Sequence, residues 1–581
     1  MVGNKTINIG LVAEDVNTDY TKDLIYSIYD AVPEDRDIRI FVIAGKVYDK
    51  SDEDEIVRFG KQMYNSVYDF IGHCRLDGLI IALGSLRSLE TDEERRAFDE
   101  KFFDTPRVYI SAEIGDGVEV KFDNEMGIHE VVDVLINTDN ISKLGMLGGR
   151  EDNFDVVERR EIFKNYLIKK GLEFPDSAYV ATDMSINCRE EAGELLDKNP
   201  GLEAIFCVND AVAVGLYEAM AERNLEPGRD IKVFGFDNTK MAGEMSPPLS
   251  SIGPAGKTVG KQALELLIDR IDGREISTVK VPTRLYSRAS LNYELYELAS
   301  LDVTSLDEAG INRLFNYCFY RYRNATYRRE NIDLQRLYYE FISRMISALK
   351  KRFMSDEEFA EVIRMVDIFI DNGAMEFTDT QRLMISIERM QAAINIREKS
   401  VSTNMMVNRA FLRIKDRVIL AMAQQKEQQA RQTAENQERL KRFLSSGMYQ
   451  VSSDDDMAEI SIRMLGSLGI KNLALFMYRE PVLYKTWMGK NDFPDELDLR
   501  CIIKDGELYI PVAERQSGSM EGIFSREELP KKCRGYMVYP VFCGSQIYGL
   551  LACGLTEDIF SMGEMVSAEL GRTLYMSTIR K

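Results

Sequence analysis

The residue types that most often carry chemistry are scarce or badly spaced in this chain. Only two histidines exist, His73 and His129, and the eight cysteines include no C-x-x-C pair, so neither a zinc spacing nor a disulfide framework is present. Gly256-Lys257-Thr258 resembles the end of a phosphate-binding loop, but the glycine required five residues earlier is Ser251, and no G-x-G-x-x-G follows the first apolar run. Between Tyr317 and Arg336, Arg321, Arg323, Arg328 and Arg329 alternate with Tyr320, Tyr322 and Tyr327. Such interleaving suits either single-stranded nucleic acid or an amphipathic helix that buries its rings, and the helix is preferred. What remains is a group of hydrogen-bonding side chains beside apolar runs. Tyr20 either lines a cleft or starts a helix core, and Asn209 and Asp237 are either ligand contacts or turn residues. Asp210 reads as the cap of a helix beginning near Ala211, and Arg159, next to Arg160, is either a ligand contact or an exposed helix arginine. These groups can hold a polar molecule. No catalytic set, metal site or cofactor is expected.

The elements that would position them alternate along the first 290 residues. Ile7–Val12, Ile38–Ile43, Gly78–Leu83, Val108–Ile110, Leu144–Leu147, Ala204–Val208 and Lys232–Phe236 are apolar β-rich runs, separated by helical stretches such as Tyr20–Val32 and Ile128–Ile136. Continuous apolar runs joined by helix-length segments predict parallel strands covered on both faces, hence an α/β fold. Ligands of such sheets sit beyond the carboxyl ends of the strands.

Five segments then agree in order: Leu76–Ile81, Val157–Phe163, Ile205–Gly215, Val233–Asn238 and Ser246–Ile252. Together they resemble the sensor domain of the lactose-repressor (LacI/GalR) family, over about residues 5–290. The resemblance implies a two-lobed, periplasmic-binding-protein-like (type I) domain with a small ligand clamped between two Rossmann-like lobes. It places a clamp arginine on Arg159, although the glycine expected three positions later is Ile162. It places an asparagine on Asn209 and an aspartate on Asp237. Guanidinium, amide and carboxylate together suit a polyhydroxylated ligand, sugar-like or nucleoside-like. Two departures argue against a standard hexose. Ser111 stands where many sugar-binding members have an aspartate, and small residues around Pro254 and Gly256 replace the expected aromatic platforms. Met184 takes another platform position. The ligand-binding set is therefore Tyr20, Ser111, Arg159, Met184, Asn209 and Asp237. The family's helix-turn-helix has no counterpart before the first strand, so no direct contact with nucleic acid is expected.

Composition is consistent with a folded chain. The 581 residues are 45% hydrophobic and 29% charged, unlike a disordered sequence, and the net charge of -21 repels nucleic-acid phosphates. No signal-peptide pattern opens the chain and no run of about 18 apolar residues occurs, so a cytoplasmic location away from membranes is expected.

Beyond residue 300 the periodicity becomes helical. Leu334, Leu337, Tyr338, Phe341, Ile342, Met345, Ile346 and Leu349, then Phe359, Val362, Ile363, Val366, Phe369 and Ile370, recur at helical spacing. Ser305/Glu308, Ser355/Glu358 and Thr378/Gln381 have capping-box spacing. From Phe411 to Phe443 the sequence is polar and free of glycine and proline, which predicts a connector helix. Ser453–Asp456 would cap a helix reaching about Leu468. Strands at Asn472–Tyr478, Leu508–Val512 and Tyr536–Phe542 follow, with a hairpin through Gly544-Ser545 to Gln546–Cys553 and a closing helix, Gly563–Arg580. This succession resembles a GAF domain, and Cys543 and Cys553 on its hairpin read as core residues.

The expected organisation is a sensor at 1–295, a helical bundle at 301–400, a connector helix at 401–446 and a GAF-like domain at 448–581. The function expected is a non-enzymatic sensor that relays cleft closure through the helices to the GAF-like domain. A homodimer and a protein partner for output are expected with it. Two alternatives stand beside it. One is the sensor part of a diguanylate-cyclase-type (GGDEF) signalling enzyme without its catalytic domain. The other is a LacI-family transcription regulator without its own DNA-binding domain.

Overall fold

The computed structural model describes residues 6–47, 54–291, 306–319, 322, 333–351, 355–378, 401–449 and 470–580. Within these, short gaps fall at 90, 103, 112–116, 152, 486–490 and 531, and isolated positions are described between 383 and 395 and at 465 and 468. Strands β1 (Ile7–Glu14), β2 (Ile38–Gly45), β3 (Gly78–Ile81), β4 (Arg107–Ile110) and β5 (Glu119–Phe122) open the chain. β6 (Leu144–Leu147), β7 (Tyr179–Val180), β8 (Ala204–Cys207), β9 (Lys232–Phe236) and β10 (Ser250–Pro254) follow, then β11 (Val279–Val281) and β12 (Thr283–Tyr286).

These strands build two sheets. In the first lobe the order is β11-β5-β4-β3-β1-β2, with every neighbouring pair parallel. In the second it is β12-β10-β9-β8-β6-β7, parallel except where β12 runs against β10. The mixed α/β class follows from burial: every residue of β2, and all but the first of β1, is buried, because helices cover both faces. The chain crosses between lobes after β5, after β10 and between β11 and β12. The crossing strands are tied together, since Asp123 donates its N–H to the Val281 carbonyl (2.8 Å), Ala255 to the Pro282 carbonyl (2.7 Å), and the Thr283 hydroxyl to the Asp123 carbonyl (2.6 Å).

The helical stretch contains Glu308–Cys318, Leu334–Lys351 and Asp356–Asp371, packed around Phe315, Phe319, Tyr338, Phe341 and Phe369. Ser355 and Glu358 form the expected capping box. The first of these helices is capped by Asp307, which accepts from the Gly310 N–H (2.7 Å); Ser305 and Gln381, named for two other boxes, lie outside the described residues. Thr378 instead donates to the Cys318 carbonyl (2.5 Å). Of the arginine–tyrosine segment only residues 317–319, Tyr322 and the stretch from 333 onward are described, and the expected cap at Ser453–Asp456 is outside too. The connector helix is longer than its polar stretch, Val401–Tyr449. Phe411, Ile414 and Val418 dock it on the helical core before it turns polar.

The C-terminal strands are β13 (Leu473–Leu483), β14 (Asp498–Lys504), β15 (Glu507–Tyr509), β16 (Gly535–Cys543) and β17 (Gln546–Gly554), followed by the helix Glu557–Arg580. They pair antiparallel in the order β16-β17-β13-β14-β15. The hairpin turns at Gly544 (φ 55°), a left-handed position that glycine adopts without strain. Its cysteines differ in burial: Cys553 is fully buried, Cys543 only partly. The major difference from the sequence-based expectation is where this sheet sits. β16 pairs in parallel with β2, Gly535 to Val538 against Ile40 to Ile43, so the first lobe and the C-terminal sheet form one eleven-stranded sheet. The edge that β2 would otherwise expose is thereby closed. The C-terminal module touches the sensor directly, not only through the connector helix.

No helix among the described residues is long and apolar enough to cross a membrane.

Candidate functional site

Strand ends and helix starts bring the site together. Thr18 caps the helix Asp19–Asp30 by accepting from the Thr21 N–H (3.2 Å), which holds Tyr20 in the first turn after β1. Asn153 caps the helix Phe154–Lys169 in the same way, through the Val156 N–H (3.1 Å), and sets Arg159 toward the second lobe's strand ends. Ser111 follows β4, Met184 follows β7, Asn209 follows β8 and Asp237 follows β9. Four cavity residues at these turns have left-handed backbones without being glycine: Asp15 (φ 48°), Ser111 (φ 53°), Met184 (φ 67°) and Asp237 (φ 92°). Backbone strain of this kind concentrates at ligand sites, where surrounding packing holds it in place.

All six residues named from the sequence line a single cavity of about 480 Å³ between the lobes. Arg159 is 4% exposed, which sets aside its reading as an exposed helix arginine. Its guanidinium lies 3.6 Å from the Phe236 ring centroid. Nε donates to Asn124 Oδ1 (3.1 Å), Nη1 to the Val208 carbonyl (2.8 Å), and Nη2 pairs with Asp237 Oδ1 (3.5 Å). Burial raises the Asp237 carboxyl above its ordinary range, Arg159 opposes the rise, and Asp155 adds to it. The Tyr20 phenol is pushed up by burial, then by the nearby Asp237 and Asp155 carboxylates. Tyr20 thus reaches from the first lobe to the charged groups of the second, and also packs partly against the hydrophobic core.

One expectation is corrected. Asp210 does not cap the helix Asp210–Glu222; Asn209 does, its Oδ1 accepting from the Val212 N–H (2.9 Å) while its Nδ2 donates to the Met184 carbonyl (3.2 Å). The cap falls one residue early because Asp210 is needed in the interior. It is fully buried, accepts from the Thr239 N–H (2.7 Å) and hydroxyl (3.0 Å) and from the Ser251 hydroxyl (2.6 Å), and burial pushes its carboxyl up to about 7. These bonds brace the loop carrying Asp237. Asp210→Ala strands the Thr239 and Ser251 donors in the interior, so urea unfolding should show a loss of about 2–4 kcal/mol.

Several cavity residues escaped the sequence reading: Glu14, Asp15, Arg87, Asn153, Asp155 and Thr239. Glu14 and Asp15 directly follow the first apolar run, so the strand-end rule could have found them. Arg87, paired with Asp15 at 3.2 Å, sits in a turn after β3 that carries no periodic signal. Neither Pro254 nor Gly256 lines the cavity.

Two lobes of mainly parallel sheet, three crossings and a cavity at the strand ends make this a two-lobed α/β domain with a cleft between its lobes. Residues 136–291 match the family described as Periplasmic binding protein-like domain. Among curated proteins, the chain is similar to the HTH-type transcriptional repressor PurR of Vibrio atlanticus (strain LGP32), 28% identical over 215 residues, covering 35% of this chain and 59% of that protein. It is also similar to the Ribose operon repressor of Escherichia coli (strain K12), 28% identical over 214 residues, with 36% and 63% covered. The chain thus spans about three-fifths of the length of these relatives. Among solved structures, the transcriptional regulator CelR–cellobiose complex aligns with a TM-score of 0.41 at 20% identity, over 50% of this chain and 86% of that one. The Lac Repressor bound to ONPG aligns with a TM-score of 0.41 at 18% identity, over 50% and 83%.

Proposed function

We propose that the chain is a non-enzymatic sensor that binds a small polar metabolite, sugar- or nucleoside-like, between its lobes. The observation that carries this reading is the convergence of Tyr20 and Ser111 from one lobe with Arg159, Met184, Asn209 and Asp237 from the other on one cavity. Hydrogen-bonding groups on both walls give a ligand more contacts in the closed cleft than in an open one, and that difference in affinity shifts the closure equilibrium. The names of the relatives, a ribose operon repressor and PurR, agree with a sugar or nucleoside-related effector. The C-terminal module, which we read as GAF-like, receives the motion through β2 and β16 as well as the connector helix, and passes it to a protein partner. The working form is a cytoplasmic homodimer.

Calorimetry with ribose, cellobiose and a nucleoside panel tests the site. A binder should lose at least tenfold in affinity in Arg159→Ala and in Asp237→Ala, about 1.4 kcal/mol each. Affinity unchanged in both variants would overturn the site assignment. The relatives' names also favour a second reading, a transcription regulator. Retardation of duplex DNA at low salt would support it; no retardation is expected from so acidic a chain.

A further inference from the structure

The connector helix carries two apolar stripes, and the described residues cover only one of them. Val401–Tyr449 docks on the helical core through Ala410, Phe411, Ile414 and Val418. At about 3.6 residues per turn, Val401, Met405, Leu412, Ile419 and Ala423 fall on the opposite side. All five are exposed, Met405 by 70% and Leu412 by 60%, and the exposed Leu420 lies beside Ile419. Neighbouring helical residues reach round the connector only to the flanks of this stripe. On one flank Arg409 meets Asp356 (3.7 Å) and lies over the Phe359 ring (4.7 Å). On the other, Lys415 meets Glu388 (3.7 Å), and Asn408 accepts from Gln391 Nε2 (2.6 Å). An apolar row left open between such flanks marks a contact with another molecule.

Its spacing says which molecule. The outward row runs Val401, Met405, Asn408, Leu412, Asp416, Ile419, Ala423, at intervals of 4, 3, 4, 4, 3 and 4 residues. The intervals read the same from either end. A second copy laid antiparallel, Leu412 against Leu412, therefore sets Met405 opposite Ile419 and Val401 opposite Ala423, and a two-fold axis repeats each contact. The polar positions match as well. Asn408 Oδ1 is taken by Gln391 Nε2 and by Asn395 Nδ2 (3.2 Å), so the amide has its donor, Nδ2, left to offer. Asp416 is exposed and has no hydrogen bond or ion pair among the described residues, and the antiparallel register puts this acceptor opposite Asn408 of the second copy. In a parallel pair each residue meets its own copy. Asp416 would then face Asp416, and the row would continue into Lys426 against Lys426.

We propose that a second copy of this chain covers the stripe, the two connector helices pairing antiparallel about an axis at Leu412. The proposal rests on the homodimer reading above and gives that dimer its interface. The paired stretch, 401–423, is about 33 Å long. The polar remainder of each connector leaves the pair at opposite ends, where solvent suits its glutamines and charges.

Analytical ultracentrifugation of the full chain at micromolar concentration tests this. The parent should sediment as a dimer. Leu412→Glu sets two carboxylates against each other on the axis and should weaken association by about a hundredfold. Leu412→Gln, which adds no charge, should weaken it less, and both variants should keep the parent's helix content because the site is exposed. Cross-linking reads the direction. A short bismaleimide should join Met405→Cys/Ile419→Cys chains into dimers. It should not join chains carrying Met405→Cys alone, whose thiols the antiparallel pair holds about 21 Å apart along the helix. The parent, treated alike, accounts for the native cysteines. A monomeric parent overturns the interface and the homodimer reading together and leaves the ligand-site reading intact. A dimer that survives Leu412→Glu undiminished overturns the interface alone. Joining through Met405→Cys by itself overturns the antiparallel arrangement.

Discussion

Phe41→Ala is expected to uncouple the C-terminal module from the first lobe. Phe41, fully buried in β2, stacks on Tyr536 of β16 (centroids 5.3 Å apart, rings 11° from parallel) and packs against Phe524 at 4.2 Å. The same apolar cluster contains Val12, Ile43 and Tyr68 from the sensor and Phe476, Leu499 and Tyr536 from the C-terminal sheet. One core is therefore shared between segments hundreds of residues apart, and truncating its central ring removes about 3–5 kcal/mol. The backbone pairing of β2 with β16 does not by itself replace that contact. Urea unfolding should change from a shared transition to two separated ones, and limited proteolysis should release a C-terminal fragment. Tyr484→Phe is the milder comparison: it removes the 2.5 Å bond from the Tyr484 hydroxyl to Asp69, a second tie across the same junction, at a cost of about 1–2 kcal/mol. If Phe41→Ala unfolds in a single transition with the C-terminal fragment still protected, the shared core is not what holds the module.

How much of this was legible depended on how local each signal was. The continuous apolar runs at 7–12 and 38–43 encode strands buried on both faces, and the sheets contain them as β1 and β2. The strands β5, β7, β10, β11 and β12 passed unread: β3, β4, β6 and β8 are as short but mostly apolar, whereas EVKF, SSIGP, VKV and TRLY break the apolar run with charged or small polar residues and Tyr179–Val180 is only two residues long. The rule that chemistry sits after strands, together with the family resemblance, led to Ser111, Asn209 and Asp237. It applied equally to Glu14 and Asp15, yet the residue read there was Tyr20, the aromatic side chain near the first strand end. Asn209 and Asp210 show the limit of cap reading: both residue types cap helices, and only tertiary bonds to Thr239 and Ser251 decide that Asp210 turns inward. The pairing of β2 with β16 had no local signal at all. An apolar strand does not reveal which edge it will join.

The last expected result concerns the protein without ligand. Glu14 titrates near 8 in the folded chain against an ordinary value of 4.5, because burial disfavours its charged form. The folded state thus holds a proton that the unfolded chain has already released. Stability from this group is fully present below about pH 4.5 and declines as pH rises toward 8, by on the order of 1.4 kcal/mol per unit. Asp210, raised to about 7, and Asp23, raised to about 6, act in the same direction but finish earlier. The interval between pH 7 and 8 therefore belongs mainly to Glu14. Glu14→Gln keeps the shape of the neutral carboxyl and cannot ionise. It should match the parent protein in urea unfolding at pH 5 and exceed it at pH 8 by several kcal/mol, on the order of 3, in this linkage. Parallel curves for the two proteins from pH 5 to pH 8 would mean that Glu14 is ionised in the folded state. The wall of the cavity would then present a full negative charge even before a ligand arrives.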